Sequence, residues 1–428
     1  MSLEKDKDFS CILVGGHKVF DGEEASMVSH SLKELSSLSL TLGLKVKGKA
    51  ILKLRKINPS TFYGKGQLES ILNKAAAMNC SYIIFNDEIT PSQFKNIQKI
   101  TLKKKVFDRT GIILDIFKNN AKTKESKLQV ELASLQYMLP RLTRQWTHLE
   151  RQMGGTGTTG GPGEKQIEID RRLIGKRISK LKTELEKIKK NRKIQSYSRK
   201  NVFRVSLVGY TNAGKSSLLN ALCKPETAYV ENRLFATLDT TTRSVTISKS
   251  QNILVTDTVG FIKDLPHNLV ASFRSTFEEV ESSDLILFIL DSSSPRELIE
   301  EHLSTVKKTL SEMSISYKNS LLVFNKIDCL ERKSEKIKYL KKKYSEAFFI
   351  SAKNYIMTEN LLHSIGEIAQ DNLTSKTVKL PHRKSFLLKH IYENFNIESR
   401  KDDFEYIDLK LSGDSSGLKK LVELIDKD

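Results

Sequence analysis

The sequence contains little cysteine and no long apolar run. Its four cysteines are scattered and form no C-x-x-C pair (Cys11, Cys80, Cys223 and Cys329). This argues against a disulfide framework or a structural zinc site and fits a reducing compartment. No apolar run approaches the length of a membrane span, and residues 1–8 lack the pattern of a signal peptide. We therefore expect a soluble, cytoplasmic protein without membrane insertion.

The chain is long and strongly basic. Its 428 residues are more than a single domain with one hydrophobic core usually contains, and they predict about two to four domains. The formal net charge of +20 favours nucleic acid or an anionic membrane surface as a partner. Solvated, Lys-rich helix faces are the simpler explanation, but so large an excess is uncommon in a purely metabolic enzyme.

A phosphate-binding loop lies at the centre of the chain. Residues 209–216 match G-x-x-x-x-G-K-[ST] at every fixed position, between an apolar strand pattern and a helical pattern. In such a loop Lys215 reaches the β- and γ-phosphates, and the Ser216 hydroxyl is a ligand of Mg²⁺. The predicted phosphate-binding residues are Gly209, Tyr210, Thr211, Asn212, Ala213, Gly214, Lys215, Ser216 and Ser217.

Two motifs suited to sensing the γ-phosphate follow. A Thr-rich segment offers Thr237, Thr240, Thr241 and Thr242 as candidates for a second Mg²⁺ ligand, and position alone does not separate them. An apolar strand pattern then ends in Asp257, Thr258, Val259 and Gly260. Asp257 can hold a water of the Mg²⁺ shell, and the Gly260 amide can bind the γ-phosphate.

The remaining motifs concern the base. An apolar run, 285–290, ends in Asp291 and predicts a central parallel strand. The next strand pattern leads into Asn325, Lys326, Ile327 and Asp328. The Asp328 carboxylate can accept from both N1–H and N2–H of guanine, a pattern that adenine does not offer. Asn325 would brace the loop, the Lys326 stem would cover the ring, and the backbone of Ser351, Ala352 and Lys353 would bind the guanine O6.

Five motifs in this order, each at the end of a strand pattern, resemble the translation-factor class of P-loop GTPases. We expect an α/β domain with a mostly parallel sheet and helices on both faces. Phe261 occupies the position where many signalling GTPases carry a water-orienting Gln. Phe261 cannot orient water by hydrogen bonding, so no catalytic residue is assigned and slow intrinsic hydrolysis is expected.

The region before this domain predicts two further parts. Short apolar runs alternate with helical stretches up to about residue 115, which indicates a smaller α/β domain with a parallel sheet. Residues 86–88 follow one of its strands and suggest either a second binding crevice or an N-cap cluster. Apolar stripes at 128–149, divided by Pro140, and at 167–188 then predict a helical hairpin.

The loop between these helices is rich in glycine. Six glycines lie within residues 154–164, far more than a hairpin turn requires. A flexible linker is one interpretation. A tip that approaches folded RNA closely is the other, favoured by basic neighbours with an interleaved aromatic residue: Arg141, Arg144, Trp146, His148, Arg151, Arg171, Arg172, Lys176 and Arg177.

Residues outside the nucleotide motifs extend the resemblance to the HflX family of ribosome-associated GTPases. It is carried by residues 209–216, 234–239, 257–262, 108–117 and 161–172, although a glycine stands immediately before Gly-Pro-Gly-Glu (161–164), where the family has Arg. The resemblance implies that Thr237 is the switch Mg²⁺ ligand and that Phe235, Ala236, Leu238 and Asp239 accompany it at the nucleotide. It also implies binding of GTP and GDP with Mg²⁺, docking on the large ribosomal subunit and its rRNA, and ribosome splitting.

The expected organisation has four parts. These are an α/β, nucleotide-binding-like domain at 1–115, the helical hairpin with its Gly-rich tip at 116–200, the GTPase domain at 201–373 and a small α/β domain at 374–428 with a strand at 404–409 and a helix near 418–425. We expect a monomer. Two rival functions stay open: a GTP-switched RNA-binding or ribosome assembly factor without splitting activity, and a GTPase attached peripherally to anionic lipid.

Overall fold

The computed structural model describes residues 9–22, 25–101, 104–142, 166–197, 202–223, 234–235, 238–248, 251–263, 274–331, 335–371, 374–413 and 415–426. The chain divides into two compact units. The first comprises residues 1–189, 231–239 and 262–275, and the second comprises 190–230, 240–261 and 276–428. No helix within the described residues is long and apolar enough to cross a membrane.

The first unit begins with a four-stranded parallel sheet, as predicted. The strand order is β2-β1-β3-β4. The strands are β1 (Ser10–Lys18), β2 (Lys45–Leu54), β3 (Tyr82–Phe85) and β4 (Lys105–Asp108), and the helices between them are α1 (Ala25–Thr41), α2 (Lys65–Ala77) and α3 (Pro91–Thr101). The central β3 is wholly buried, as a continuous apolar run predicts. In the edge strand β2, exposed residues alternate with buried or half-buried ones, as expected for a strand that packs one face on the core.

Residues 86–88 lie where β3 ends, but Asn86 and Asp87 bind other parts of the same unit. The Asp87 carboxylate accepts from the Gly16 amide at 2.8 Å and from the Tyr63 hydroxyl at 2.6 Å. Asn86 exchanges hydrogen bonds with Ser31. The backbone amide of Thr90, just before α3, instead donates a hydrogen bond to the side chain of Gln93. Asp87 therefore braces the carboxyl ends of β1 and β3.

Three helices complete the described part of this unit: α4 (Arg109–Asn120), α5 (Lys124–Met138) and α6 (Gln166–Tyr197, of which 190–197 belong to the second unit). Helix α5 ends before a 3₁₀ turn that contains Pro140, because proline cannot continue the hydrogen-bond ladder. Leucines of 128–142 pack against Ile174 and Leu181 of α6. Arg177 forms a bidentate ion pair with Glu131 at 2.7 and 2.8 Å. The Gly-rich loop and Trp146 lie outside the described residues.

The second unit contains a six-stranded sheet in the order β10-β9-β8-β5-β7-β6. All neighbours are parallel except β6 and β7. The strands are β5 (Arg204–Gly209), β6 (Thr241–Ser248), β7 (Gln251–Asp257), β8 (Leu285–Asp291), β9 (Ser320–Asn325) and β10 (Phe348–Phe349). The helices are α7 (Lys215–Cys223), α8 (Arg274–Glu281), α9 (Arg296–Glu312), α10 (Glu335–Lys343) and α11 (Thr358–Asp371). This arrangement confirms the predicted α/β fold.

A small antiparallel sheet of order β11-β13-β12 ends the chain. Its elements are β11 (Thr374–Pro381), α12 (Leu387–Asn394), β12 (Asn396–Asp402), β13 (Tyr406–Gly413) and α13 (Ser415–Asp426). Val378, Leu409 and Leu421 belong to its own hydrophobic core. The strand predicted at 404–409 begins two residues later, because Phe404 lies fully exposed in the β12–β13 turn.

Candidate functional site

The phosphate loop joins the end of β5 to the start of α7. Asn212 and Gly214 have positive φ angles of 61° and 92°, which turn the backbone between strand and helix. The Lys215 ammonium donates to the carbonyl oxygens of Gly209 at 3.1 Å and Tyr210 at 3.0 Å. The loop therefore folds around the lysine at the amino end of α7, where backbone amides and the helix dipole favour an anion.

Both fixed glycines of the loop are sterically required. A Cβ atom on Gly209 would lie 2.3 Å from the carbonyl oxygen of Ile289 on β8. A Cβ atom on Gly214 would lie 2.2 Å from Nδ2 of Asn325 on β9. The loop is thus pressed against two neighbouring strands, and only glycine leaves room for that approach.

Lys215 is buried, with 6% of its surface exposed. Burial lowers the pKa of its ammonium to about 8, and the nearby Asp257 carboxylate opposes this effect. A desolvated cation gains strongly from a bound anion. Lys215 is accordingly poised to bind phosphate oxygens.

The hydroxyl of Ser216 and the carboxylate of Asp257 lie side by side. Ser216 Oγ donates to Asp257 Oδ2 at 2.6 Å, and Asp257 is the last residue of β7, in register with Leu207 of β5. Two hard oxygen donors next to a phosphate site suit Mg²⁺, which takes few protein ligands and completes its shell with phosphate oxygens and water. The donor set therefore fits the predicted magnesium. Thr237, the other predicted ligand, lies outside the described residues.

Phe261 is tied to the phosphate loop through its backbone. Its amide donates to the Gly209 carbonyl at 3.1 Å, and its carbonyl accepts from the Thr211 amide at 2.7 Å. The side chain is 1% exposed, and its ring centroid lies 5.1 Å from that of Phe277. Phe261 is thus a core residue at the position of a water-orienting group, and the described residues offer no catalytic side chain there.

The base-recognition motif is fastened to the phosphate loop by Asn325. Its Nδ2 donates to the Ala213 carbonyl at 3.0 Å, and its Oδ1 accepts from the Ala352 amide at 3.0 Å. Ser351 Oγ donates to Asp328 Oδ1 at 2.5 Å, which orients the carboxylate predicted to read guanine. Lys353, in contrast, is exposed. The structure therefore brings together the loop, the 257–260 motif, the 325–328 motif and residues 351–352.

The predicted switch residues Phe235, Leu238 and Asp239 belong to the first unit. Asn120 Nδ2 donates to the Phe235 carbonyl at 2.7 Å. Thr123 Oγ1 donates to Asp239 Oδ1 at 2.5 Å, and the Lys122 amide donates to Asp239 Oδ2 at 3.0 Å. These contacts join the segment to the ends of α4 and α5. No sequence motif indicated them, and Ala236 lies outside the described residues.

Three family models match successive parts of this chain. The family description "GTP-binding GTPase N-terminal" matches residues 29–118, "GTP-binding GTPase Middle Region" matches 120–199, and "50S ribosome-binding GTPase" matches 204–326. A GTP-binding protein of Sulfolobus solfataricus, solved with GDP, aligns over 85% of this chain and 99% of its own at 26% identity and a TM-score of 0.42.

Fold and site together define a P-loop GTPase, a protein that binds and hydrolyses GTP. GTPase HflX of Magnetococcus marinus is 48% identical over 70% of this chain and 69% of its own length, and GTPase HflX of Escherichia coli is 38% identical over 80% and 79%. The chain belongs to the HflX family of GTPases, which confirms the resemblance inferred from its motifs.

Proposed function

We propose that this GTPase binds the large ribosomal subunit and uses its GTP cycle to dissociate ribosomes into subunits. The main support is that residues 204–326, in the nucleotide domain, match the family described as "50S ribosome-binding GTPase". The net charge of +20 is of the sign that an RNA-rich partner requires.

Helix α6 contributes a basic surface. Its buried side, with Ile174 and Leu181, packs on the cluster that contains α5. Lys and Arg dominate its exposed positions: Arg171, Arg172, Lys176, Lys180, Lys182, Lys187, Lys189 and Lys190. RNA helices are recognised largely through phosphate and 2′-hydroxyl contacts, and exposed cations distributed along a helix suit such contacts.

In this proposal, GTP binding and hydrolysis at the nucleotide site control when the protein acts on the ribosome. Lys215 would bind the β- and γ-phosphates, and Ser216 and Asp257 would hold Mg²⁺, directly or through water. The family resemblance implies Thr237, outside the described residues, as a further ligand. Phe261 cannot orient a water molecule, because its side chain is buried against Phe277. Intrinsic hydrolysis is therefore slow, and binding to the large subunit accelerates it by ordering the groups around the γ-phosphate.

Sucrose-gradient sedimentation of intact ribosomes tests the proposal. The protein with GTP, or with a non-hydrolysable analogue, should convert intact particles into free subunits. A variant lacking residues 154–163 should bind GDP normally but split ribosomes poorly. Co-sedimentation with intact ribosomes or with one subunit, without splitting, would instead favour a GTP-switched RNA-binding factor. A hydrolysis rate that large subunits leave unchanged would contradict the proposed activation.

A further inference from the structure

The loop after β8 holds the base-recognition motif in place. Asp291, the last residue of β8, is in register with Asn325 on β9. Ser292 donates to the Asn325 carbonyl twice, from its amide at 2.9 Å and from its hydroxyl at 2.7 Å. Ser292 is fully buried. The end of β8 therefore fixes the backbone at the start of the 325–328 motif.

Lys326 is the next residue, and its backbone is strained. Its φ and ψ angles are 65° and 34°, a left-handed conformation that costs free energy for a residue with a Cβ atom. The Lys326 amide donates to the Asn325 side chain at 2.8 Å, and its carbonyl accepts from the Cys329 amide at 3.0 Å. Such a conformation persists only where its surroundings determine it.

The Lys326 side chain extends to Asp291. Its ammonium donates to Asp291 Oδ2 at 2.7 Å, and the two side chains are only 25% and 18% exposed. The other carboxylate oxygen accepts from the Ser293 amide at 2.9 Å and from the Ser293 hydroxyl at 2.6 Å. The two hydrogen bonds from Ser293 therefore fix the orientation of the carboxylate that pairs with the lysine. The long lysine stem loses much of its rotational freedom in the pair.

We propose that Asp291 is a positioning residue for guanine recognition, because its oriented carboxylate anchors the Lys326 ammonium and so holds the lysine stem over the base. In this proposal Asp291 acts through Lys326 and needs no contact of its own with the base. Its effect on nucleotide affinity passes through Lys326. The inference rests on the proposed contact of Lys326 and Asp328 with the guanine.

A double-mutant cycle on GDP affinity tests this, with a fluorescent GDP analogue as the probe. Asp291→Asn keeps the shape of the side chain and removes its charge, and Lys326→Met keeps an unbranched stem and removes the ammonium. We expect Asp291→Asn to weaken GDP binding about three- to fivefold, as for a partly exposed ion pair. In the Lys326→Met background the same change should alter affinity less than about twofold. Equal losses in both backgrounds, or no loss in the otherwise unchanged protein, would overturn the proposal.

Two controls separate positioning from general effects. Glu312→Gln removes an equivalent charge at the exposed far end of α9 and should leave GDP affinity unchanged. Asp291→Glu should recover part of the affinity, because it restores a carboxylate within reach of Lys326. Thermal unfolding of each variant shows whether it is folded, and the Lys326→Met pair stays informative if Asp291→Asn lowers stability. If the unchanged protein failed to prefer GDP over ADP, the base assignment itself would be wrong.

Discussion

The hydroxyl of Thr123 donates to the carboxylate of Asp239 over 2.5 Å, although the two residues are 116 positions apart. Thr123 is also the N-cap of α5, where its Oγ1 accepts from the Ser126 amide at 3.1 Å. Asp239 receives further hydrogen bonds from the amides of Lys122 and Thr123. A carboxylate thus lies at the amino end of a helix, where the dipole favours negative charge.

Replacing Thr123 by Val should destabilise the first unit. The change removes the hydroxyl that serves both Asp239 and the α5 cap, at a cost of about 1–2 kcal/mol in unfolding free energy. Thr123→Ser keeps the hydroxyl and should be close to the unchanged protein. Thermal unfolding followed by circular dichroism distinguishes the two variants. Equal stability of the Val and Ser variants would show that this hydroxyl contributes nothing measurable.

The same carboxylate predicts a pH dependence. Burial alone would raise the pKa of Asp239, but hydrogen bonds from Thr123, Ser126 and the Lys122 amide outweigh it and lower the pKa below its usual value. A lowered folded-state pKa adds stability that is present above the unfolded pKa and is lost as the pH falls through the folded one. The stability difference between Asp239→Asn and the unchanged protein should therefore shrink under acid. An Asp239→Asn deficit that persisted undiminished in strong acid would contradict this account.

Nucleotide binding should weaken as the pH rises above about 8. Burial lowers the pKa of Lys215 in the free site to about 8, so the lysine is charged below that pH and increasingly neutral above it. Bound phosphates favour the charged form, so binding takes up a proton and the Kd for GDP rises by up to about tenfold per pH unit. Calorimetry in buffers of different ionisation enthalpy measures that uptake. Lys215→Met should lose it, which separates the lysine from titration of the nucleotide itself.

Asp328→Asn should exchange the preferred base. The carboxylate that Ser351 orients is predicted to accept two hydrogen bonds from guanine, whereas an amide would offer one acceptor and a donor that suits xanthine. Loss of charged hydrogen bonds should weaken GDP about 10²- to 10³-fold, and xanthosine diphosphate should bind better than GDP. Competition titrations with GDP, XDP and ADP measure the preference. Unchanged GDP affinity would remove Asp328 from base recognition.

Those contacts that depend on local chain geometry were predictable from sequence. A phosphate loop needs glycines, a lysine and a helix start within eight consecutive residues, so residues 209–216 reveal it directly. The ion pair between Asp291 and Lys326 spans 35 positions and the hydrogen bond between Thr123 and Asp239 spans 116. Neither pair has a fixed spacing, because each depends on which elements the fold brings together. The sequence marked Asp291 only as the end of a buried strand.

Gly214→Ala gives the sharpest test of how closely the phosphate loop approaches β9. The residue has a φ of 92°, and an added Cβ would lie 2.2 Å from Nδ2 of Asn325, which is itself 2% exposed and bonded to the Ala213 carbonyl. Neither the backbone nor the amide can give way cheaply, so GDP affinity should fall about 100-fold or more as the loop is displaced.

Gly175→Ala is the matched control. Gly175 lies within α6 with open space at its Cβ position, so this change should leave GDP binding intact and stabilise the helix by about 0.5–1 kcal/mol. Equilibrium GDP titration and thermal unfolding of both variants measure these effects, and a Gly214→Ala protein that bound GDP like the unchanged one would contradict the packing described for the loop.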